Sequence, residues 1–521
     1  MNYMSGEWKP GTTDEHVLRD PVTGKELAHA STAGIDMAAG LAFAREHGSA
    51  ELQSMTYKER AVLLGKIADV LTANRADYFD ISQKNLGATE ADSSFDVDGA
   101  IYTLKAYAKL GQALDGKYFR DGAPAPLSKT GVFQGQHFLK PLTGVAVFIN
   151  AFNFPAWGLW EKAAPALLSG VGVIVKPASP TAWLTQRMVE DVVKAAILPA
   201  GAISILCGSA RDLLDYVSEN DVVSFTGSAA TAANIKTHPQ VVRHSVRLNI
   251  EADSLNAAIL GPDAAPGSPL FDLLVKEVVR EMTLKAGQKC TAIRRVLVSR
   301  EHAQGLGQAL QERLAKVKVG NPRNPEVKCG PLTNKAQQSA AREGVKQLLA
   351  EATVICGGND HFAPLEADAE TACFVEPTVL LCEKPLTAEA VHEVEIFGPV
   401  VTLLPYDSAD EAVALAQRGG GSLVASVFSA DSDFLSKVVL GISNAHGRIM
   451  AVDEKVGPNH TGHGNVMPSC LHGGPGRAGA GEELAGLRAL NLYHRRFVVQ
   501  GSPDLLAVLS KDTIESNLLF Q

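Results

Sequence analysis

The chain has 521 residues, enough for two or three domains with substantial apolar cores, and its 46% hydrophobic and 20% charged residues are ordinary for a globular protein. A formal net charge of −9 excludes a broadly basic face, and with it nonspecific nucleic-acid binding, while leaving room for a local basic pocket. Seven cysteines show neither close pairing nor metal-type spacing, and there is no signal-type N-terminus and no run of about 20 apolar residues; the expectation is a reduced, cytoplasmic protein with no metal and no membrane attachment.

From about residue 34 to 115 the pattern is helical. In Tyr57-Lys58-Glu59-Arg60-Ala61-Val62-Leu63-Leu64-Gly65-Lys66-Ile67-Ala68-Asp69-Val70-Leu71, apolar residues recur at helical intervals with charges between them. Residues 131–140 alternate loosely and read as an extended arm. Short apolar strands follow at 144–149, 171–175, 202–206 and 222–225, with helical stretches between. That alternation predicts an α/β fold with a parallel sheet covered on both faces. A second α/β region spans about 258–470. The glycine-rich 457–481 reads as loop, and Phe497-Val498-Val499-Gln500 as a sheet-edge strand before a polar tail.

Four segments carry candidate chemistry. Asn150-Ala151-Phe152-Asn153-Phe154-Pro155 follows the strand Val145-Ala146-Val147-Phe148-Ile149, and Leu248-Asn249-Ile250-Glu251 ends a strand on a carboxylate. Cys290 sits in Leu284-Lys285-Ala286-Gly287-Gln288-Lys289-Cys290-Thr291, a glycine-containing connection where backbone amides and a substrate can both reach a thiol. Glu395-Ile396-Phe397-Gly398-Pro399-Val400 follows. In this order and approximate spacing the four resemble the aldehyde dehydrogenase superfamily, and the likeness covers nearly the whole chain, from Met4-Ser5-Gly6-Glu7-Trp8 to the segment around Leu487.

The resemblance implies the fold: a Rossmann-like cofactor domain (1–130 and 144–257), an α/β catalytic domain (258–477), and a small oligomerisation element (131–143 and 478–521) that pairs subunits, as a homodimer. It also implies roles. Cys290 would attack the aldehyde, because the carbon needs electron push before it releases hydride. Asn153 and the Cys290 amide would hold the oxyanion, Glu251 would activate water for thioester hydrolysis, and Lys162 would assist proton movement. Glu395 would hold the nicotinamide ribose and Phe397 would pack beside the ring.

Several positions depart from the family pattern. Ser179, in Lys176-Pro177-Ala178-Ser179, stands where many NAD-using relatives carry Glu. With no carboxylate to repel a 2′-phosphate and Lys176 adding positive charge, NADP is favoured over NAD. Serine there also suits a helix cap. Thr226-Gly227-Ser228 follow a strand and open a helix, the setting for pyrophosphate on backbone amides, although a family glycine is Ala232 here. After Glu251 the chain reads Ala252-Asp253-Ser254 in place of the usual Leu-Gly-Gly. Gly474-Pro475-Gly476-Arg477-Ala478-Gly479 matches a dinucleotide fingerprint in letters only, since no strand precedes it in the sequence reading and it comes too late in the chain. His460, His463, Cys470 and His472 lack defined metal spacing; His472, near the implied substrate-tunnel wall, is a substrate-contact candidate.

A narrower likeness, carried by Ala451-Val452-Asp453-Glu454-Lys455, Gly486-Leu487-Arg488-Ala489-Leu490 and Val499-Gln500-Gly501-Ser502-Pro503, is to bacterial CoA-linked semialdehyde dehydrogenases of aromatic catabolism. It implies NADP-dependent oxidation of a CoA-linked semialdehyde from aerobic benzoate breakdown. Alternatives are another aldehyde, transfer of the thioester to free CoA, or a catalytically silent scaffold. Glu251 argues against the second, and the joint retention of Asn153, Glu251, Cys290 and Glu395 against the third.

Overall fold

A computed structural model describes residues 1–13, 15–359 and 362–520. Its first sheet has seven strands in the order Arg247–Glu251, Val222–Thr226, Val145–Ile149, Gly172–Lys176, Ile203–Ile205, Asn2–Met4, Glu7–Lys9. The first five run parallel and the N-terminal pair closes one edge antiparallel. The four strands read from the sequence are present, shifted by a residue or two at their ends.

Both faces of this sheet are covered. Helices Tyr57–Ala73, Gly99–Gly111 and Trp157–Ser169 belong to one large apolar cluster with Phe148, Val173 and Val175. Val145, Val147, Ile174 and Val223 face a second cluster with Leu41, Leu213 and Ile235. Alternate side chains of each strand thus enter opposite cores, which is why these strands are apolar throughout. Trp157–Ser169 is buried along its whole length. It has no capping side chain of its own, and Asp96 supplies the cap by accepting from the Trp157 amide at 2.7 Å.

The second sheet runs Thr353–Cys356, Thr378–Leu381, Val400–Tyr406, Arg295–Ser299, Ala257–Leu260, Ser422–Phe428, His446–Val452, parallel except for its first pair. It too has a core on each face. The first sheet ends at Glu251 and the second begins at Ala257, so five residues carry the chain across.

A third sheet pairs His494–Gly501 with Gln134–Pro141, then Tyr118–Pro126 and Thr513–Glu515. The expected arm and edge strand are therefore partners. Phe497 and Val498 are 41% and 46% exposed on that edge. Tyr118–Pro126, read as part of the cofactor region, belongs to this sheet, and the "polar tail" forms the helix Pro503–Leu509 and a strand, because Leu506, Ile514 and Leu519 are buried.

Part of the glycine-rich stretch read as loop is also ordered. Leu471–Gly473 and Glu482–Leu484 form a two-stranded hairpin, and the segment between them docks on the end of strand Arg247–Glu251. The Gly481 amide donates to the Ile250 carbonyl at 2.9 Å, and the Ala252 amide to the Ala478 carbonyl at 3.0 Å. Gly479 has φ +103°, and a Cβ there would meet the Ile250 oxygen at 2.4 Å. Only glycine satisfies both conditions. Gly479→Ala should therefore cost about 1–3 kcal/mol of stability and reduce activity, measured as a lowered denaturation midpoint and kcat; an unchanged midpoint would mean the docking is not needed.

Candidate active site

The chain order of the first sheet reverses between Val145–Ile149 and Val222–Thr226, and an open α/β sheet forms its ligand crevice at such a point, beyond the carboxyl ends of its strands. Asn153, Lys176, Thr226, Gly227, Ser228 and Glu251 all lie at or just past those ends. The second sheet meets them with the opposite ends of its strands: Cys290 precedes Arg295–Ser299, and Glu395 and Phe397 precede Val400–Tyr406. Between them lies a cavity of about 590 Å³ whose walls include every residue just named.

The connection bearing Cys290 is held in an unusual shape. Lys285, Ala286 and Gly287 have φ of 53°, 50° and 70°. Two consecutive non-glycine residues in the left-handed region store strain, so the surroundings must hold them there. The Lys285 amide donates to Asp92 Oδ1 at 2.6 Å, and Arg294 donates to the Gly287 and Lys289 carbonyls at 2.9 and 3.1 Å. Asn256 Nδ2 donates to the Cys290 carbonyl at 2.7 Å. Among the described residues the Cys290 amide donates to nothing, which leaves it free for an oxyanion. Asn153 Nδ2 donates one hydrogen to the Gln288 carbonyl at 3.0 Å, and the second remains for the same purpose. Asn153 and Cys290 share the walls of a smaller chamber with Glu251, Lys162, Trp157 and His472.

Glu251 is buried, and its carboxylate lies 3.1 Å from His472 Nε2. The reactive atoms of Glu251, Cys290 and His472 fall within 4.8 Å of one another. Burial raises the Glu251 carboxyl, but the His472 charge and hydrogen bond, with Lys162, outweigh it and hold the group below the usual carboxylate range. Burial lowers the His472 imidazole, and Glu251, Glu161 and Glu483 outweigh that, pushing it up to about 9. The Cys290 thiol goes well above its ordinary value, through burial first and then the charge and hydrogen bond of Glu251. Cys290 therefore rests as a thiol, with the Glu251 carboxylate beside it.

Lys162, expected as a proton carrier, sits fully buried between Glu161 at 2.9 Å and Glu483 at 3.3 Å. Desolvation lowers it and the three carboxylates of Glu161, Glu483 and Glu251 more than reverse this, so it stays charged. Burial lifts Glu483 to about 7. Sequence reasoning missed Glu161 and Glu483. Glu161 had a signal, a carboxylate beside Lys162 in an otherwise apolar helix; Glu483 had none apart from the hairpin.

On the cofactor side, Glu395 Oε2 accepts from the Ser254 amide at 3.1 Å, while the buried Oε1 has no hydrogen-bond partner and lies 3.8 Å from Arg294 Nη2. Burial raises its carboxyl to about 7, opposed by Arg294 and the Ser254 amide. Phe397 meets Phe152 edge to face, with centroids 5.7 Å apart. Thr226 Oγ1 is likewise buried and unpartnered. Ser228 caps the helix Ala229–Lys236, but Asp253 Oδ1 accepts from the Ala229 amide at 3.0 Å, so one amide expected to face pyrophosphate is engaged. Arg477, unforeseen, lines the cavity 3.5 Å from Asp253. Ser179 is buried at the start of the turn Ser179–Thr181; Ala178 lines the cavity and Ser179 does not. His460, His463, Cys470 and His472 are not one cluster: His463 bonds Ser426, His460 bonds the Gly462 amide, Cys470 is exposed, and only His472 reaches the chamber.

Residues 8–485 match the model of the aldehyde dehydrogenase family. The chain belongs to that family. This aldehyde dehydrogenase is 62% identical, over 91% of its length and 92% of the other, to a 3,4-dehydroadipyl-CoA semialdehyde dehydrogenase of Aromatoleum evansii. It is 26% identical, over 83% of its length and 84% of the other, to a D-glyceraldehyde dehydrogenase (NADP(+)) of Picrophilus torridus. A crystal structure of betaine aldehyde dehydrogenase from Staphylococcus aureus in complex with NAD+ superposes with a TM-score of 0.84 at 25% identity, covering 96% of this chain and 94% of that one. The enzyme is thus an NAD(P)-dependent aldehyde oxidoreductase with the family fold, and no helix among the described residues is long and apolar enough to cross a membrane.

A Cβ on Gly287 would lie 2.2 Å from the Gly398 carbonyl, at φ +70°. That close approach fixes Cys290 relative to Glu395 and Phe397. Gly287→Ala should reduce kcat at least about tenfold, since small misplacements at a reacting centre are costly; steady-state kinetics with normal turnover would show that the loop tolerates displacement.

Proposed function

We propose that this enzyme oxidises 3,4-dehydroadipyl-CoA semialdehyde to the corresponding acid with NADP as acceptor, in the cytoplasm and as a homodimer. The observation that carries the substrate is the 62% identity to the Aromatoleum evansii protein over nearly the full length of both. The chamber agrees with a substrate that presents only its aldehyde end. Trp157 borders both the Cys290 chamber and a wider vestibule of about 330 Å³ walled by Phe95, Tyr102 and Met467. A CoA moiety would remain outside it. The exposed Phe497 and Val498 on the edge of the third sheet support pairing of subunits along that strand.

The oxygens of Glu395 and Thr226 that lack a hydrogen bond, with Lys176, Gly227 and Ser228 on the same wall, fit a nicotinamide dinucleotide. When bound, that group supplies the hydride acceptor. Glu395 would hold ribose hydroxyls and Phe397 would pack against the ring. NADP is favoured by Lys176 and by the lack of an acid at position 179, although Ser179 acts here by omission and not by contact.

The protein's own residues divide the chemistry. Cys290 sulfur adds to the aldehyde carbon as its proton passes to Glu251, the base within reach, and the new oxyanion is met by the Cys290 amide and Asn153. Loss of hydride leaves a thioester on Cys290. For hydrolysis Glu251 must be a carboxylate again, and Glu483, beside it and raised to about 7 by burial, gives its proton a place to go. Glu251 then takes a proton from water as the oxygen attacks the thioester, releasing the acid and the Cys290 thiol.

Glu251→Gln should preserve acylation better than deacylation. Rapid mixing with NADP and substrate is expected to give a burst of NADPH near one equivalent per site, then slow turnover, with the acyl group on the Cys290 peptide by mass spectrometry. Deacylation at the parental rate would remove Glu251 from that step. Ser179→Glu should lower the NADP-to-NAD preference; equal weakening of both cofactors would assign Ser179 a folding role only. Activity that requires free CoA would favour the acylating alternative.

A further inference from the structure

We propose that His472 is a positioning residue for the hydrolytic step: its imidazolium holds Glu251 ionised and beside Cys290, in a chamber that would otherwise protonate it. The inference rests on the reading of Glu251 as the water-activating base, and it replaces the substrate-contact role expected for His472.

His472 sits on the hairpin strand Leu471–Gly473, which docks on the strand that ends in Glu251. Its ring stacks on Trp157, centroids 5.8 Å apart and planes at 22°, and it is 3% exposed. Stacking fixes the ring plane, and with it Nε2 at 3.1 Å from Glu251. The other charged groups in the chamber come from every element around it. Glu161 and Lys162 lie on the helix Trp157–Ser169, Glu483 on the paired hairpin strand, and Cys290 on the facing loop.

That inventory decides the sign. Glu161, Glu251 and Glu483 crowd together, their oxygens within 4.8 Å. Lys162 pairs directly with Glu161 and Glu483, and the directly paired cation at Glu251 is His472. Glu251 Oε1 is buried without a hydrogen-bond partner, and the His472 contact at Oε2 does more to hold the group ionised than Lys162 or the Cys290 thiol does. Take His472 away and both burial and two neighbouring carboxylates favour the protonated acid. A protonated Glu251 cannot accept a proton from water.

The stacking and the charge can be separated by substitution. His472→Phe keeps an aromatic ring against Trp157 and removes the charge and hydrogen bond; His472→Gln keeps a donor and removes the charge. For His472→Phe the acid limb of the kcat–pH profile should move up by about one unit or more, each unit above the assay pH costing about tenfold in the basic form. KM for the aldehyde should change little, the NADPH burst should appear as in Glu251→Gln, and His472→Gln should fall between Phe and the parent. A profile that superimposes on the parent, or a rise in KM alone, would overturn the proposal. If Glu251→Gln itself deacylates normally, the water-base reading fails first, whatever His472 does; if Glu251→Gln accumulates thioester and His472→Phe does not shift the limb, only the role of His472 fails. Should the Phe variant not fold, nitrogen-15 histidine spectra of the parent decide the matter. A His472 imidazolium persisting at pH 8 and lost in Glu251→Gln is expected, and a neutral ring at pH 7 would overturn it.

Discussion

The active site is organised around a group of buried charges at the Cys290 chamber. Three carboxylates, Glu161, Glu251 and Glu483, are held together by two cations, Lys162 and His472, all within the fully buried region where the helix Trp157–Ser169, the strand end at Glu251 and the hairpin meet. Moving such ions out of water costs several kcal/mol each even after relaxation, and only close pairing offsets it. Hence the hairpin must approach the strand closely enough to deliver Glu483 and His472, which is what Gly479 and Gly481 permit. Removing Lys162 leaves Glu161 and Glu483 without their paired cation, and removing His472 does the same to Glu251, so the cluster is both a structural and a chemical unit.

The nucleophile's state follows from that unit. Cys290 lies at the end of a strained loop whose shape is fixed from outside by Asp92, Asn256 and Arg294, and its sulfur faces the carboxylate side of the cluster. Negative charge close by disfavours a thiolate. Beside that thiol the Cys290 amide has no acceptor among the described residues, and Asn153 keeps a second hydrogen free. The two sheets offer opposite strand ends to one cavity. The carboxyl ends of the first sheet bring backbone amides and Glu251, and the amino ends of the second bring the Cys290 thiol and Glu395.

Much of this was legible in the residues. The parallel strands announce themselves as short apolar runs because both their faces are buried, and Asn153, Glu251, Cys290 and Glu395 fall at strand ends where the chain order can be read. The hairpin was not legible, because glycines at 473, 479 and 481 look like loop in a sequence and serve here to let two backbones touch. Glu483 and the contact of His472 with Glu251 were hidden with it. Ser179 shows the reverse limit. Its position at the strand end is right, yet the turn buries it behind Ala178, a difference of one residue that no pattern reveals.

The most direct measurement of the cluster's hold on the nucleophile is the pH dependence of Cys290 alkylation in the enzyme without substrate or cofactor. Peptide-resolved mass spectrometry is needed, since Cys470 is exposed and Cys356 is partly so. If the buried carboxylates keep the sulfur protonated, the rate at Cys290 should still be climbing above pH 9, beyond an ordinary thiol near about 8.5. A rate already level at pH 7 would mean a preformed thiolate, and the electrostatic arrangement described for Cys290 would be wrong.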